Sequence, residues 1–358
     1  MTLTQETLKR LPKADLHLHL DGSLRPQTVW DLAKDQNVKL AARSPSELAK
    51  QLTAGPRVRS LGDYLKIFDI TLSVLQEPDA LERVSYELAE DCAAENVRHM
   101  EVRYSPILHQ KRGLKLPAIV DPVLAGLKRA ERDFRMSTGV IICGMRNISP
   151  RKSYELAKLA VAYRNRGVIA FDLAGEEEDF PARDHRQAFR FVAENNLSST
   201  VHAGEAFGPP SIAQALHDCG AHRIGHGTRL IEDPDLLHYV NDHRIPLEVC
   251  LTSNVQTRSV KSLKEHPFRR YLDEGLRVTL NTDNRMVSDT TLSKEYALAM
   301  KTFHLSPYQL KRIVVNGFKS SFLPYADKAR MLRRVVLEID TVFMEALPDS
   351  YDRAGSTL

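Results

Sequence analysis

Apolar and polar residues alternate strictly through Asp15-Leu-His-Leu-His-Leu-Asp21. In an extended strand a period of two sends His17, His19 and Asp21 to one face and Leu16, Leu18 and Leu20 to the other. Downstream, short apolar β-branched runs recur between longer stretches of helical periodicity, the pattern of βα units. Runs near 14–20, 99–104, 139–145, 168–173, 199–202, 223–226, 246–250 and 277–281 predict eight strands. Amphipathic stretches at 79–96, 120–135, 153–166, 183–195, 210–219 and 234–242 are each long enough for a crossover helix. This alternation over 358 residues predicts an α/β fold, a closed (β/α)8 barrel of the TIM type rather than an open doubly wound sheet. No G-x-G-x-x-G follows the first strand, which argues against a dinucleotide site. Residues 28–78 are too long for a βα connection and carry helical signals of their own, so they are read as an inserted helical lid over the barrel mouth. Residues 290–358 are read as extra C-terminal helices. No low-complexity linker divides the chain, and 1–358 is expected to form a single domain.

Composition narrows the picture. At 42% hydrophobic and 27% charged residues the chain is of the ordinary globular class. Lys and Arg number 50 against 46 Asp and Glu, too even a mixture to imply a nucleic-acid partner. The cluster Arg258, Lys261, Lys264, Arg269, Arg270 reads as a solvated face. Cys92, Cys143, Cys219 and Cys250 are scattered without a C-x-x-C pair, which suggests neither a disulfide framework nor a thiolate metal site. The first residues have no apolar signal region, and no run approaches the roughly 18 apolar residues of a membrane span. A cytoplasmic protein with no membrane partner is expected.

In a barrel of this kind the working residues gather where strands end. Strand one offers His17, His19 and Asp21; strand four ends in Asp172-Leu-Ala-Gly-Glu176; strand five in His202-Ala-Gly-Glu205; strand six in Gly225-His-Gly227; strand eight in Asn281-Thr-Asp-Asn284. His17, His19, His202 and Asp283 make three imidazoles and a carboxylate, a donor set suited to zinc with a position left for water. These ligands lie too far apart in sequence for a zinc finger, so the site can form only when the barrel closes.

Taken together, Pro12-Lys-Ala-Asp-Leu-His-Leu-His-Leu-Asp-Gly22, Glu101-Val-Arg-Tyr-Ser-Pro106, Asp172-Leu-Ala-Gly-Glu176, Val201-His-Ala-Gly-Glu205, Gly225-His-Gly227, Asn281-Thr-Asp283 and Ser320-Ser-Phe-Leu-Pro324 resemble, in order and across nearly the whole chain, the adenosine deaminase family of metal-dependent amidohydrolases. The resemblance implies one Zn2+ per chain held by His17, His19, His202 and Asp283. It implies Glu205 as the proton donor to purine N1, His226 as the residue that orients or deprotonates the attacking water, and Asp283 as a further partner of that water. Glu205 must then be protonated at working pH, which requires a desolvated pocket. It further implies substrate contacts from His19, from Asp21 at the ribose 5′-hydroxyl and from the Gly175 N–H at N3. Leu61, Tyr64, Leu65 and Phe68 resemble the family's hydrophobic lid; a packed helix face is the alternative. The implied activity is deamination of a small-molecule purine nucleoside, adenosine or 2′-deoxyadenosine, to the inosine product and ammonia.

One departure stands out. Where the family commonly has Asn-Thr-Asp-Asp-Pro, this chain has Asn281-Thr-Asp283-Asn284-Arg285. N7 of a purine accepts a hydrogen bond, and the Asn284 amide carries permanent donors, so the change is compatible with a purine. It leaves room for a related 6-aminopurine, adenine or an aminodeoxyfutalosine-type nucleoside. A two-metal hydrolase would need a bridging lysine where Asp172 and Gly175 stand. An inactive nucleoside-binding barrel would be expected to lack a ligand or the acid, and none is missing.

Overall fold

The computed structural model describes residues 3–55, 58, 60–347 and 351. Its strands are β1 Lys13–His19, β2 Val97–Tyr104, β3 Ser137–Met145, β4 Val168–Ala174, β5 Ser198–Ala203, β6 Arg223–His226, β7 Leu247–Val249 and β8 Val278–Leu280. Each pairs in parallel with the next in chain order. The ring closes just beyond β8, where Leu18 bridges Asp283. There the His19 N–H donates to Asp283 O at 2.7 Å and the Asp283 N–H to His17 O at 2.8 Å. All eight expected strands are present.

Crossover helices Pro78–Ala93, Leu116–Phe134, Pro150–Tyr163, Pro209–His217 and Pro234–Asp242 all carry proline in their first turn. There its missing N–H costs nothing and its fixed φ suits a helix start. Apolar faces of the first four pack on β2 to β5, and on β1 Leu16, Leu18 and the following Leu20 are fully buried.

Inside the ring the alternation brings charge rather than hydrocarbon. Glu101 and Arg103 of β2, Arg223 of β6 and Glu248 of β7 are buried together. Arg223 Nε donates to Glu248 Oε1 at 2.6 Å, and Arg223 Nη2 pairs with Glu101 Oε2 at 2.6 Å.

The long first connection is helical, as expected, with Pro26–Asp35, Pro45–Leu52, Leu61–Leu65 and Phe68–Val74. The stripe Leu61, Leu65, Phe68 does not lie on one helix, because the chain turns at Lys66-Ile67 and a second helix starts at Phe68. The tail forms Leu292–Phe303, Pro307–Ser320 and Tyr325–Ala346. It is not wholly additional to the barrel, since Pro307–Ser320 packs on β8 and β1 and takes the place of the eighth barrel helix. Among the described residues no helix is long and apolar enough to cross a membrane.

Candidate active site

The carboxyl ends of β1, β5, β6 and β8 bring the sequence-predicted residues together. His19 Nε2 lies 3.1 Å from His202 Nε2 and 3.3 Å from Asp283 Oδ1, and His17 Nε2 lies 3.5 Å from the same Asp283 oxygen. His17 Nε2 is buried without a hydrogen-bond partner. Ring nitrogens of His17, His19 and His202 lie within 4.8 Å of one another. The opposite nitrogens are committed elsewhere: His17 Nδ1 to Glu248 Oε2 at 2.8 Å, and His202 Nδ1 to Asp172 at 3.1 to 3.2 Å. Such carboxylate partners fix the tautomer and leave each Nε2 lone pair facing the common point.

Burial, with the Arg103 charge behind it, holds His17 down at about 4, and burial holds His19 well below its usual value, so both are neutral. Burial opposes ionisation of Asp283, but the imidazoles gathered around it favour its charged form, the Ser253 hydroxyl donates to Oδ2 at 2.6 Å and the Asn284 amide to Oδ1 at 2.8 Å, and it stays ionised. Neutral imidazoles converging with an ionised carboxylate fit a divalent cation. Cys250 Sγ is within the same reach of His17 and Asp283, although burial pushes its thiol well up and disfavours thiolate. Asp283 and His226 both sit in the left-handed region, at φ 59° and 63°. That conformation is uncommon for residues with a Cβ and concentrates at functional sites.

Beside this cluster stands Glu205. Its Oε1 accepts from Thr257 Oγ1 at 2.9 Å, and its Oε2 is 3.4 Å from His226 Nε2. Burial pushes its carboxyl up, as the chemistry requires. A chain of donors fixes His226. The Phe268 N–H donates to His266 Nδ1 at 3.0 Å, so the ring's proton is on Nε2, which donates to Asn254 Oδ1 at 3.2 Å. Asn254 Nδ2 then donates to His226 Nδ1 at 3.0 Å. With Nδ1 accepting, His226 presents an Nε2–H towards Glu205 and the cavity.

A cavity of about 270 Å3 opens over these groups. His19, Asp21, Gly175, His202, Glu205, His226, Asp283 and Asn284 line it, and so do Leu61, Tyr64, Leu65 and Phe68 of the inserted helices. Tyr64 Oη bonds Ser288 Oγ at 2.8 Å. Asp21 is buried with Oδ1 unpartnered, and burial pushes its carboxyl up to about 7. Asn284 Nδ2 donates to Asp283 Oδ1 at 2.8 Å, which leaves its second N–H for a ligand, while its own Oδ1 is buried and unpartnered.

Sequence reasoning missed the residues behind this layer: Glu248, Arg103, Ser253, Asn254, Thr257 and His266, and the role of Asp172 towards His202. Two left a trace in the sequence, since Glu248 interrupts the apolar run Leu247 to Val249, and Arg103 follows Glu101 with strand spacing.

A closed parallel barrel with imidazoles and a carboxylate gathered at the ends of its first, fifth and eighth strands has the architecture of an amidohydrolase-type enzyme. A family model described as adenosine deaminase matches residues 12–338. An adenosine deaminase of Mycolicibacterium vanbaalenii is 42% identical over 351 residues, 93% of this chain and 96% of its own length. A probable adenosine deaminase of Dictyostelium discoideum is 39% identical over 353 residues, 99% of this chain but 45% of that longer protein. Among solved structures, an adenine deaminase from Arthrobacter aurescens superposes with a TM-score of 0.86 at 28% identity, covering 94% of this chain and all of its own. The chain belongs to the adenosine deaminase family, and it is a hydrolytic deaminase.

Proposed function

We propose that this chain catalyses the zinc-dependent hydrolytic deamination of adenosine and 2′-deoxyadenosine to inosine and 2′-deoxyinosine, with release of ammonia. The observation that carries this reading is Glu205, a buried carboxyl with a raised proton affinity, set beside His226 on the same cavity wall as His19, His202 and Asp283. His17, His19, His202 and Asp283 would hold one Zn2+. When bound, the metal supplies the acidity that makes hydroxide available from water near neutral pH.

The chain's own groups do the rest. Glu205 gives its proton to purine N1 as C6 is attacked, which removes charge from the ring as the tetrahedral carbon forms. Asp283, kept ionised, accepts from the attacking water, while the Nε2–H of His226 orients that water rather than deprotonating it. The Gly175 N–H meets N3, the free N–H of Asn284 meets N7, and Asp21 meets the 5′-hydroxyl. Leu61, Tyr64, Leu65 and Phe68 exclude water, which strengthens every polar contact inside. Four buried free cysteines fit a reducing, cytoplasmic setting.

The test is a spectrophotometric comparison of adenosine, 2′-deoxyadenosine, adenine and larger 6-aminopurine nucleosides, with ammonia measured directly. The two nucleosides are expected to show the highest kcat/KM. Turnover of free adenine alone would overturn both the substrate assignment and the role of Asp21.

A further inference from the structure

The end of β5 and the loop that follows it form a segment whose backbone polar groups are tied on both sides. Its carbonyls at His202, Ala203, Gly204 and Ala206 accept from Arg146 Nη2, the Gly227 N–H, the Arg229 N–H and Arg229 Nη1, at 2.8 to 3.2 Å. Four successive N–H groups, those of Gly204, Glu205, Ala206 and Phe207, all point at one carboxylate. Glu177 Oε1 accepts from Gly204 at 2.6 Å, and Oε2 accepts from Glu205, Ala206 and Phe207 at 2.9, 2.7 and 3.0 Å. Glu177 is only 4% exposed, and its carboxylate does not line the cavity. Gly204, at φ 72°, makes the curvature that turns these amides to one side, the concave arrangement that binds anions elsewhere.

Glu177 belongs to the loop after β4, two residues beyond Gly175. We infer that Glu177 is a positioning residue for the reaction: its carboxylate ties the loop bearing Gly175 to the loop bearing Glu205, and so sets the spacing between the amide that meets purine N3 and the acid that meets N1. This rests on the functional reading above. The carboxyl of Glu205 has Thr257 and His226 as its side-chain partners, so its place over the ring depends on the backbone beneath it. A carboxylate suits the task because it is acceptor-only, with about four lone-pair sites for four donors. A glutamine of the same shape would turn an N–H2 towards amide donors.

The experiment compares zinc-loaded wild type with Glu177→Gln and Glu177→Ala, measuring zinc per chain, Tm, and kcat and KM across pH. Zinc content is expected to stay at the wild-type level, because no ligand side chain touches Glu177. The value of kcat is expected to fall about 100-fold, the usual result of displacing a reacting group by about 1 Å. The descending alkaline limb should also move to lower pH, since water admitted around Glu205 weakens the burial that raises its carboxyl. That carboxyl faces His226, His202 and Asp283, none of which these variants alter. A merely structural anchor would lower Tm and leave the limb in place. An unshifted limb in Glu177→Gln, a kcat within twofold of wild type, or a loss of activity matched by a loss of zinc would each overturn the inference. Should the alanine variant fail to fold, the isosteric glutamine variant decides the matter. The wild-type rate on adenosine tests the functional reading separately; the variant-to-wild-type ratio is taken on whichever 6-aminopurine the wild type turns over.

Discussion

Glu248 Oε2 stands 2.8 Å from His17 Nδ1 and accepts from Arg103 Nη2 at the same distance. Arg103 also reaches Asp172 Oδ2 at 3.1 Å, and Asp172 orients His202. One buried guanidinium thus backs both carboxylates that aim the imidazoles of β1 and β5. Burial opposes ionisation of Glu248, but the charges of Arg103 and Arg223 win and hold it well below the usual carboxylate range.

Replacing that carboxylate should loosen the metal before it touches the substrate. Glu248→Gln is expected to lower metal affinity about 10- to 100-fold, measured by chelator competition on the zinc-loaded protein. It should also cost about 3–5 kcal/mol of stability, because Arg103 and Arg223 lose a buried counter-charge. Wild-type metal affinity in a folded Glu248→Gln would show that the aim of His17 does not depend on Glu248.

The rate should depend on the proton of Glu205. Burial raises its carboxyl, so the protonated form persists above the ordinary glutamate range, and kcat/KM falls as pH rises through the raised value. The Thr257 hydroxyl donates to Oε1 and favours the ionised form, which lowers that value. Thr257→Val removes the donor, so the alkaline limb should shift to higher pH. Glu205→Gln should cost about 100- to 10,000-fold in kcat with KM near wild type. A limb that stays put in Thr257→Val would assign the titration to another group.

Asn284 should report binding more than chemistry. Asn284→Ala is expected to raise KM more than it lowers kcat, and steady-state kinetics with adenosine checks this. Gly22→Ala should act in the same direction, because a Cβ there would meet Asn284 Oδ1 at 1.8 Å and displace the amide. An unchanged KM in the alanine variant of Asn284 would remove the N7 contact.

The inserted helices offer a separate check. Tyr64 Oη ties the short helix Leu61–Leu65 to Ser288, five residues past Asp283. Tyr64→Phe removes one neutral hydrogen bond, worth about 1 kcal/mol. The expected outcome is faster amide exchange across this helix and a several-fold rise in KM. Exchange and KM both at wild-type values would mean that this bond does not hold the helix over the cavity.

The eight strands were legible because β-branched runs alternate with helical periods, and the convergence of His17, His19, His202 and Asp283 was legible because each lies at or near the carboxyl end of a strand. The layer behind it was not. Arg103 and Glu248 are 145 positions apart, and a single charge inside an apolar run carries no period that names its partner. Asn254 and His266 were silent for a related reason: their value lies in the direction in which each passes a proton, which depends on the Phe268 N–H. The stripe Leu61, Leu65, Phe68 has the i, i+4, i+7 spacing of one helix and nonetheless spans two, since spacing does not register the turn at Lys66-Ile67. Helical periodicity in the tail likewise did not say that Pro307–Ser320, rather than Leu292–Phe303, would cover β8 and β1.

The rung that closes the barrel joins His17 and His19 to Asp283 through their own backbone. During synthesis from the amino end, β1 is the first strand made, yet its outer edge is the last to find a neighbour. Until residue 283 has emerged, that edge stays open to any other extended chain. A product stalled before β8 would therefore carry His17 and His19 on a strand with one open edge, which makes completion of this seam the moment when the nascent chain stops being sticky.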